Sequence, residues 1–271
     1  MMGAAALIAG LLTRSLVQPI LKMTDDLEHI QENVPYRELI PFAESIHSDR
    51  LLRENNEKMR QDFTANVSHE LKTPLTSISG YAELIETGIA KPADVPEFGR
   101  KIHVEASRMI QLVNDILQLS HLDSVSETHA QPDMEAVDLL DVAKDCVERQ
   151  KLNAQRSFIS LTYLGESARV LGNRDQLDEL CQNLCDNAIR YNRPGGAVTL
   201  QCGINDEGHP FLAVADTGIG IAPEEQGKVF ERFYRVDKSR SKARGGTGLG
   251  LAIVKHAALY HLSLIHISEP T

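Results

Sequence analysis

Apolar residues along this chain recur in two different rhythms. Over residues 45–88 proline occurs once, at Pro74, and Leu71, Leu75, Ile78, Ala82 and Ile85 follow alternating spacings of four and three. That is the seam of a helix lying along another helix. Gly88-Ile89-Ala90-Lys91-Pro92 interrupts it. A second helix is predicted from Val95-Pro96-Glu97, where proline is tolerated in the first turn. Ile102, Ala106, Met109, Val113 and Ile116 repeat the same spacing. Two antiparallel helices with one seam each cannot bury both seams alone. Pairing two such hairpins into a four-helix bundle solves this, so the pattern predicts a homodimer.

Beyond residue 133 the rhythm changes. Residues 157–163 alternate with period two and predict a strand. Residues 174–191 predict a helix with Leu177, Leu180, Leu184 and Ile189 on its apolar side. Residues 197–202 and 211–215 predict strands joined at Asn205-Asp206-Glu207-Gly208, a hairpin turn. Residues 251–260 are helical in pattern. Helices beside a mixed or antiparallel sheet make an α/β sandwich. The expected architecture is therefore α followed by α/β, with a dimeric helical hairpin over residues 51–124 and a sandwich domain over residues 133–261.

The two ends depart from these patterns. MMGAAALIAGLL is an apolar run of 12 residues that ends before Thr13-Arg14. A spanning helix needs about 20, and no basic region precedes the run as a signal peptide would require. Residues 1–13 are expected to be the last part of a transmembrane helix, with Arg14 and Lys22 on the cytoplasmic side. The other reading is a short buried helix. Residues 14–50 are helical in pattern, with breaks at Pro19, Pro35 and Pro41. Residues 262–271, LSLIHISEPT, form an atypical tail, expected to be a sequence artefact.

Length of 271 residues suits about two domains, and 42% apolar content is enough for ordinary cores. The net charge of -10 argues against nucleic acid as a partner. Cys146, Cys181, Cys185 and Cys202 contain no Cys-x-x-Cys pair and are expected to be buried, reduced thiols.

Among ten histidines, His69 alone has a context that suggests chemistry. It falls between seam positions with Ser68, Glu70 and Lys72 around it. A neutral imidazole exposed there can use Nε2 as a nucleophile if Nδ1 holds the proton. Glu70 is the candidate to hold that tautomer, although adjacent residues on a helix do not face each other. Thr73 lies one turn on and could orient a water. Pro74 should bend the helix just past His69. Downstream, Asn183 and Asn187 share one helical face. Asp216 ends a strand before Gly218 and Gly220, where a carboxylate can accept a hydrogen bond from an exocyclic amine. Gly245-Gly246-Thr247-Gly248-Leu249-Gly250 precedes a helix whose free N–H groups could face phosphates.

The run His69-Glu70-Leu71-Lys72-Thr73-Pro74-Leu75 resembles the phosphoacceptor box of sensor histidine kinases of bacterial two-component systems. Asn183-Leu184-Cys185-Asp186-Asn187-Ala188-Ile189-Arg190-Tyr191 resembles the asparagine box of the GHKL ATPases, Asp216-Thr217-Gly218-Ile219-Gly220 and the glycine run their nucleotide loops, and Val229-Phe230-Glu231-Arg232-Phe233-Tyr234-Arg235 their phenylalanine box. Residues 14–50 loosely resemble a HAMP-type relay.

The resemblance implies ATP and Mg2+ as cofactors, with Asn187 on the metal. Asn183, Arg190, Tyr191, Asp216, Gly218, Gly220, Phe230, Arg235, Gly246, Thr247, Gly248, Leu249 and Gly250 would line the nucleotide. It implies autophosphorylation of His69 and transfer to an aspartate of a cognate response regulator, with Glu70 and Thr73 assisting and a regulator phosphatase activity besides. Location at the cell membrane with a cytoplasmic kinase core follows from the same likeness. Two strands that close the sheet in related kinases have no counterpart before residue 271, so the ATPase domain is expected to be incomplete. An ATPase of another GHKL kind would have no reason to carry the His69 box. A dimeric regulator-binding module without turnover is the other alternative, and acid-labile phosphate on His69 discriminates among the three.

Overall fold

The computed structural model describes residues 10, 13–14, 40–128, 134–236 and 246–261. The expected membrane remnant apart from a few residues, most of the relay segment, the lid cations Lys238, Arg240 and Arg244, and the tail from Leu262 lie outside the described residues. Met1–Asn66 and Val67–Thr271 form two compact units. Helix α1 (Ile40–Glu86) begins in the first and ends in the second. Its N-terminal part is mostly exposed, with i,i+4 ion pairs from Arg50 to Glu54 at 2.7 Å and from Arg53 to Asp49 at 3.0 Å. Among the described residues no helix is long and apolar enough to cross a membrane.

In the second unit α1 runs on through Pro74, which is buried, without a break in the helix. It stops where Gly88 takes φ +70, a conformation cheap only for glycine. Helix α2 (Val95–Thr128) starts with Pro96 and Glu97 in its first turn, as the pattern predicts. Tyr81 and Phe98 meet across the hairpin at 5.2 Å between ring centroids.

The most deeply buried face of α2 is not the predicted seam. Leu112, Asp115, Leu119 and Leu122 are buried at spacings of three, four and three. Of the predicted seam, Ile102, Ala106, Met109 and Ile116 are half-buried and Val113 is exposed. The reason is tertiary. A second face of α2 is covered by α6 (Gly250–Tyr260), a helix more than a hundred residues away in sequence.

The sandwich holds two small sheets. Strand β1 (Glu135–Asp138) pairs antiparallel with β3 (Arg169–Gly172). Strands β2 (Ser160–Gly165), β4 (Ala197–Ile204) and β5 (Pro210–Asp216) form a mixed sheet in the order β2-β4-β5. β2 is parallel to β4, and β4 is antiparallel to β5 with Leu200 opposite Val214. β2 starts three residues later than its period-two pattern suggests, because Phe158 sits at φ +57 and turns the chain.

Helices α3 (Leu139–Arg156) and α4 (Arg174–Arg190) pack on the sheets, and a one-turn helix α5 (Pro223–Gln226) follows β5. The first two are capped by the residue before them: Asp138 accepts from the Leu140 N–H and Asn173 from the Gln176 N–H, each at 3.0 Å. Their buried faces carry Val142, Cys146 and Val147 against Leu177, Cys181 and Cys185, with Val198 and Leu200 from the sheet beneath. All four cysteines are free and buried. Contact with Cys146, and then burial, pushes the Cys181 and Cys185 thiols upward.

Candidate nucleotide and phosphoacceptor sites

The glycine run is where the sandwich and the hairpin meet. Gly248 has φ +77, and a Cβ there would lie 3.0 Å from the Phe233 backbone, so only glycine fits. Three segments converge on this run. A Cβ on Gly246 would lie 3.1 Å from an Arg190 guanidinium nitrogen and 3.5 Å from the Tyr191 hydroxyl. A Cβ on Gly250 would lie 3.1 Å from Asn183 Oδ1 and 3.8 Å from Asn187 Nδ2. Beside Gly248 stands Arg235 Nε, at 3.2 Å from the same kind of added atom. Both asparagines therefore point at the start of α6 from one face of α4, and Arg190 and Tyr191 follow one turn on. Leu249 is fully buried and anchors the start of that helix.

Asp216 ends β5 and is exposed. Its Oδ1 accepts from the Gly218 N–H at 2.8 Å, which shapes the following turn. Glycine is required at 218, where a Cβ would come within 2.6 Å of the Tyr191 carbonyl oxygen. The Ile219 N–H donates to that carbonyl at 3.2 Å, tying the loop to the end of α4. Gly220 takes φ +68. Asp216 and the asparagine helix are thus held as one wall.

Asn192 fastens that wall, and the pattern gave no sign of it. It is 7% exposed. Its Nδ2 donates to Ala197 O at 3.0 Å, and its Oδ1 accepts from the Thr217 hydroxyl at 3.3 Å and the Arg193 N–H at 2.9 Å. Arg190, expected against phosphate, meets Asp186 at 2.6 Å one turn back. Phe230 is half-buried. Phe233, in the same box, takes φ +64, strained for a bulky residue, and its N–H donates to Gly248 O at 2.8 Å.

On the hairpin, His69 is exposed, and with Lys72, Thr73, Thr76 and Ser77 it lines a surface depression of about 410 Å³. The Thr73 hydroxyl donates to the His69 carbonyl at 3.3 Å, one turn back along its own helix. Glu70 turns away from the imidazole. Its Oε2 accepts from Arg108 of α2 at 3.3 Å and from Arg235 at 3.4 Å. Adjacent helical residues diverge by about 100°, so this outcome follows from helix geometry once two cations lie on the other side. The Arg235 side chain is 7% exposed and also donates to the Gly246 carbonyl. It links the residue beside His69 to the glycine run.

Asp115 was missed. Its signal was present: a carboxylate three residues after Leu112 and four before Leu119, inside an apolar stripe.

A sandwich whose asparagine helix, acidic loop and glycine run share one wall, joined to a helical hairpin with an exposed histidine, defines a two-domain ATPase-plus-phosphoacceptor protein. Residues 59–125 match the His Kinase A (phospho-acceptor) domain. Residues 172–271 match the histidine kinase-, DNA gyrase B-, and HSP90-like ATPase. The chain is 41% identical to the sensor-like histidine kinase SenX3 of Mycolicibacterium smegmatis, over 84% of this chain and 59% of that protein. It is 34% identical to the signal transduction histidine-protein kinase BaeS of Escherichia coli, over 92% of this chain and 54% of that one. It thus spans between half and two thirds of the length of these curated relatives. Among solved structures it is similar to full-length ShkA in complex with AMPPNP, with a TM-score of 0.52 and 26% identity over 73% of this chain and 41% of that one. The chain belongs to the sensor histidine kinases of bacterial two-component systems.

Proposed function

We propose that the protein phosphorylates itself on His69 from ATP and passes the phosphoryl group to an aspartate of a response regulator. The observation that carries this reading is the link from Glu70, the neighbour of His69, through Arg235 to Gly246. It joins a phosphoacceptor face to an anion-binding glycine run within one compact unit.

In this reading Asp216 accepts a hydrogen bond from the adenine amine, which selects adenine over guanine. The amides of residues 246–250 receive the phosphates at the start of α6, with the helix dipole in support. The Asn187 carboxamide oxygen would hold Mg2+, a hard cation that keeps most of its waters, and an ion bound there would supply neutralisation of charge on the transferring group. The chain's own residues do the rest by position. The Nε2 lone pair of His69 attacks the γ-phosphorus. The N–P bond forms as the bond to the bridging oxygen breaks and ADP leaves with those electrons. The imidazolium then releases its Nδ1 proton, and Glu70 is the candidate base once its carboxylate is free of Arg108 and Arg235.

Regulator docking on the helix face around His69, regulator dephosphorylation assisted by Thr73, and membrane attachment through the apolar run at the start of the chain belong to the same reading. A homodimer is supported by Leu75, Val104, Ile110, Val113 and Leu117, large apolar residues exposed on the hairpin of a single chain.

The test is incubation of the chain with γ-labelled ATP and Mg2+, followed by acid and alkali treatment. Acid-labile, alkali-stable label that disappears in His69→Ala supports the assignment. Label of undiminished strength in His69→Ala removes it.

A further inference from the structure

Thr247 stands in the middle of the glycine run and is 8% exposed. Its hydroxyl does not point to an open phosphate site. It donates to Asp115 Oδ2 at 2.6 Å, the short distance of a hydrogen bond to an ionised carboxylate. Asp115 belongs to α2 of the hairpin, is 7% exposed, and receives a second bond at Oδ1 from Gln111 Nε2 at 2.7 Å. The same Thr247 oxygen accepts from the Leu249 N–H at 3.3 Å. A hydroxyl has one hydrogen, and here it is committed to the hairpin.

A second tie runs beside it. The Gly246 carbonyl holds Arg235, and Arg235 reaches Glu70 of α1. Each helix of the hairpin thus presents one carboxylate to the glycine run or its immediate partner. A phosphate arriving at that run would need donors now held by carboxylates, and it would meet the Asp115 charge in a buried setting where repulsion is weakly screened.

We propose that Asp115 is a built-in competitor of the nucleotide phosphates. It holds the Thr247 hydroxyl and docks the glycine run on the hairpin while the site is without nucleotide, and it is displaced when phosphates take the run. This rests on the nucleotide reading above. Linkage makes the effect reciprocal: whatever weakens the Asp115 contact strengthens nucleotide binding by the same factor. Because the docked arrangement also keeps Glu70 on Arg235, release of the latch and release of Glu70 from Arg235 belong to one transition.

The experiment is a titration of the full chain with a fluorescent ATP analogue in the wild type, Asp115→Ala and Asp115→Asn. Asp115→Ala is expected to bind about 10- to 20-fold tighter, the low end of the range for a hydrogen bond to a charged group. Asp115→Asn keeps the acceptor without the charge and should gain less. It also keeps the shape of the side chain, so it reports even if the alanine variant unfolds. Hydrogen exchange without nucleotide should be faster at residues 246–250 in Asp115→Ala. A purely structural role would leave the affinity unchanged or lower it, and either result in a folded variant overturns the proposal. Absence of binding in the wild type and both variants would instead sink the nucleotide reading, and the competition with it.

Discussion

At residue 69 the imidazole is exposed on a continuous helix, and the groups that would act on it come from elsewhere in the chain. His69→Ala should abolish labelling while leaving nucleotide affinity unchanged, because the proposed nucleotide wall is built from α4, the loop after β5 and the start of α6, and His69 lies on α1. Equilibrium titration beside the labelling assay checks both halves. Asp216→Asn should weaken nucleotide binding by about 10- to 150-fold, the cost of one hydrogen bond to a charged group. The amide that replaces the carboxylate can still accept from the Gly218 N–H and keep the turn, so the loop should hold its shape. An unchanged affinity would argue against adenine recognition there. Thr73→Ala should spare autophosphorylation and slow decay of regulator phosphate. Thr73 shares the His69 face, and its hydroxyl, donating to the His69 carbonyl, keeps an acceptor lone pair for water. Equal decay with both proteins would remove that role.

Among the elements, α4 carries the most. Its first turn is held by the Asn173 side chain, its buried face by Leu177, Cys181 and Cys185, and its opposite face brings Asn183 and Asn187 to Gly250. Asn173→Ala should destabilise the sandwich by about 0.5–2 kcal/mol through loss of the cap, read from the urea midpoint at constant slope. Nucleotide affinity should fall only when unfolding begins, because the cap lies about four turns from Asn187.

Helix α2 shows where element-level reading stopped. One heptad seam was visible over 102–116, and the pattern assigned it to the helical partner. The buried stripe of Leu112, Asp115, Leu119 and Leu122 is offset from it, since α2 packs on α6 as well. A single sequence does not say how many neighbours a helix has. Two overlapping apolar faces read as one broad one.

For the whole molecule, one buried and one half-buried carboxylate make the docked arrangement sensitive to pH. Burial pushes the Asp115 carboxyl above its ordinary value, against the hydrogen bonds from Thr247 and Gln111 and the charge of Arg190, with Asp186 adding to the rise. Glu179 of α4 is pushed up by burial and then by Asp115 itself, against a hydrogen bond from Gln118. A folded value above the unfolded one means the folded state binds the proton more tightly. The resulting stability is present below the unfolded values, about pH 4, and is lost as pH rises through the raised folded ones. Glu179→Gln should therefore raise thermal stability at neutral pH and flatten its fall from pH 4 upward. A variant with the wild-type pH profile would show that Glu179 does not contribute.

Much of the chemistry was legible because it is local. The His69 box, the two asparagines one turn apart, the Asp-x-Gly-x-Gly turn and the glycine run each lie within a dozen residues. Helical period and glycine's access to positive φ act over that same range. The hairpin, α4, the β4–β5 turn and the start of α6 follow from the same short-range rules. Tertiary structure alone decided what lies between these pieces. It set the parallel pairing of β2 with β4, the β1–β3 pair and the Asn192 clasp. It also turned Glu70 to Arg235 and put Asp115 on Thr247. Those contacts join residues up to 165 apart. They depend on which faces two separately patterned elements bury against each other, and no periodicity within either element encodes that choice.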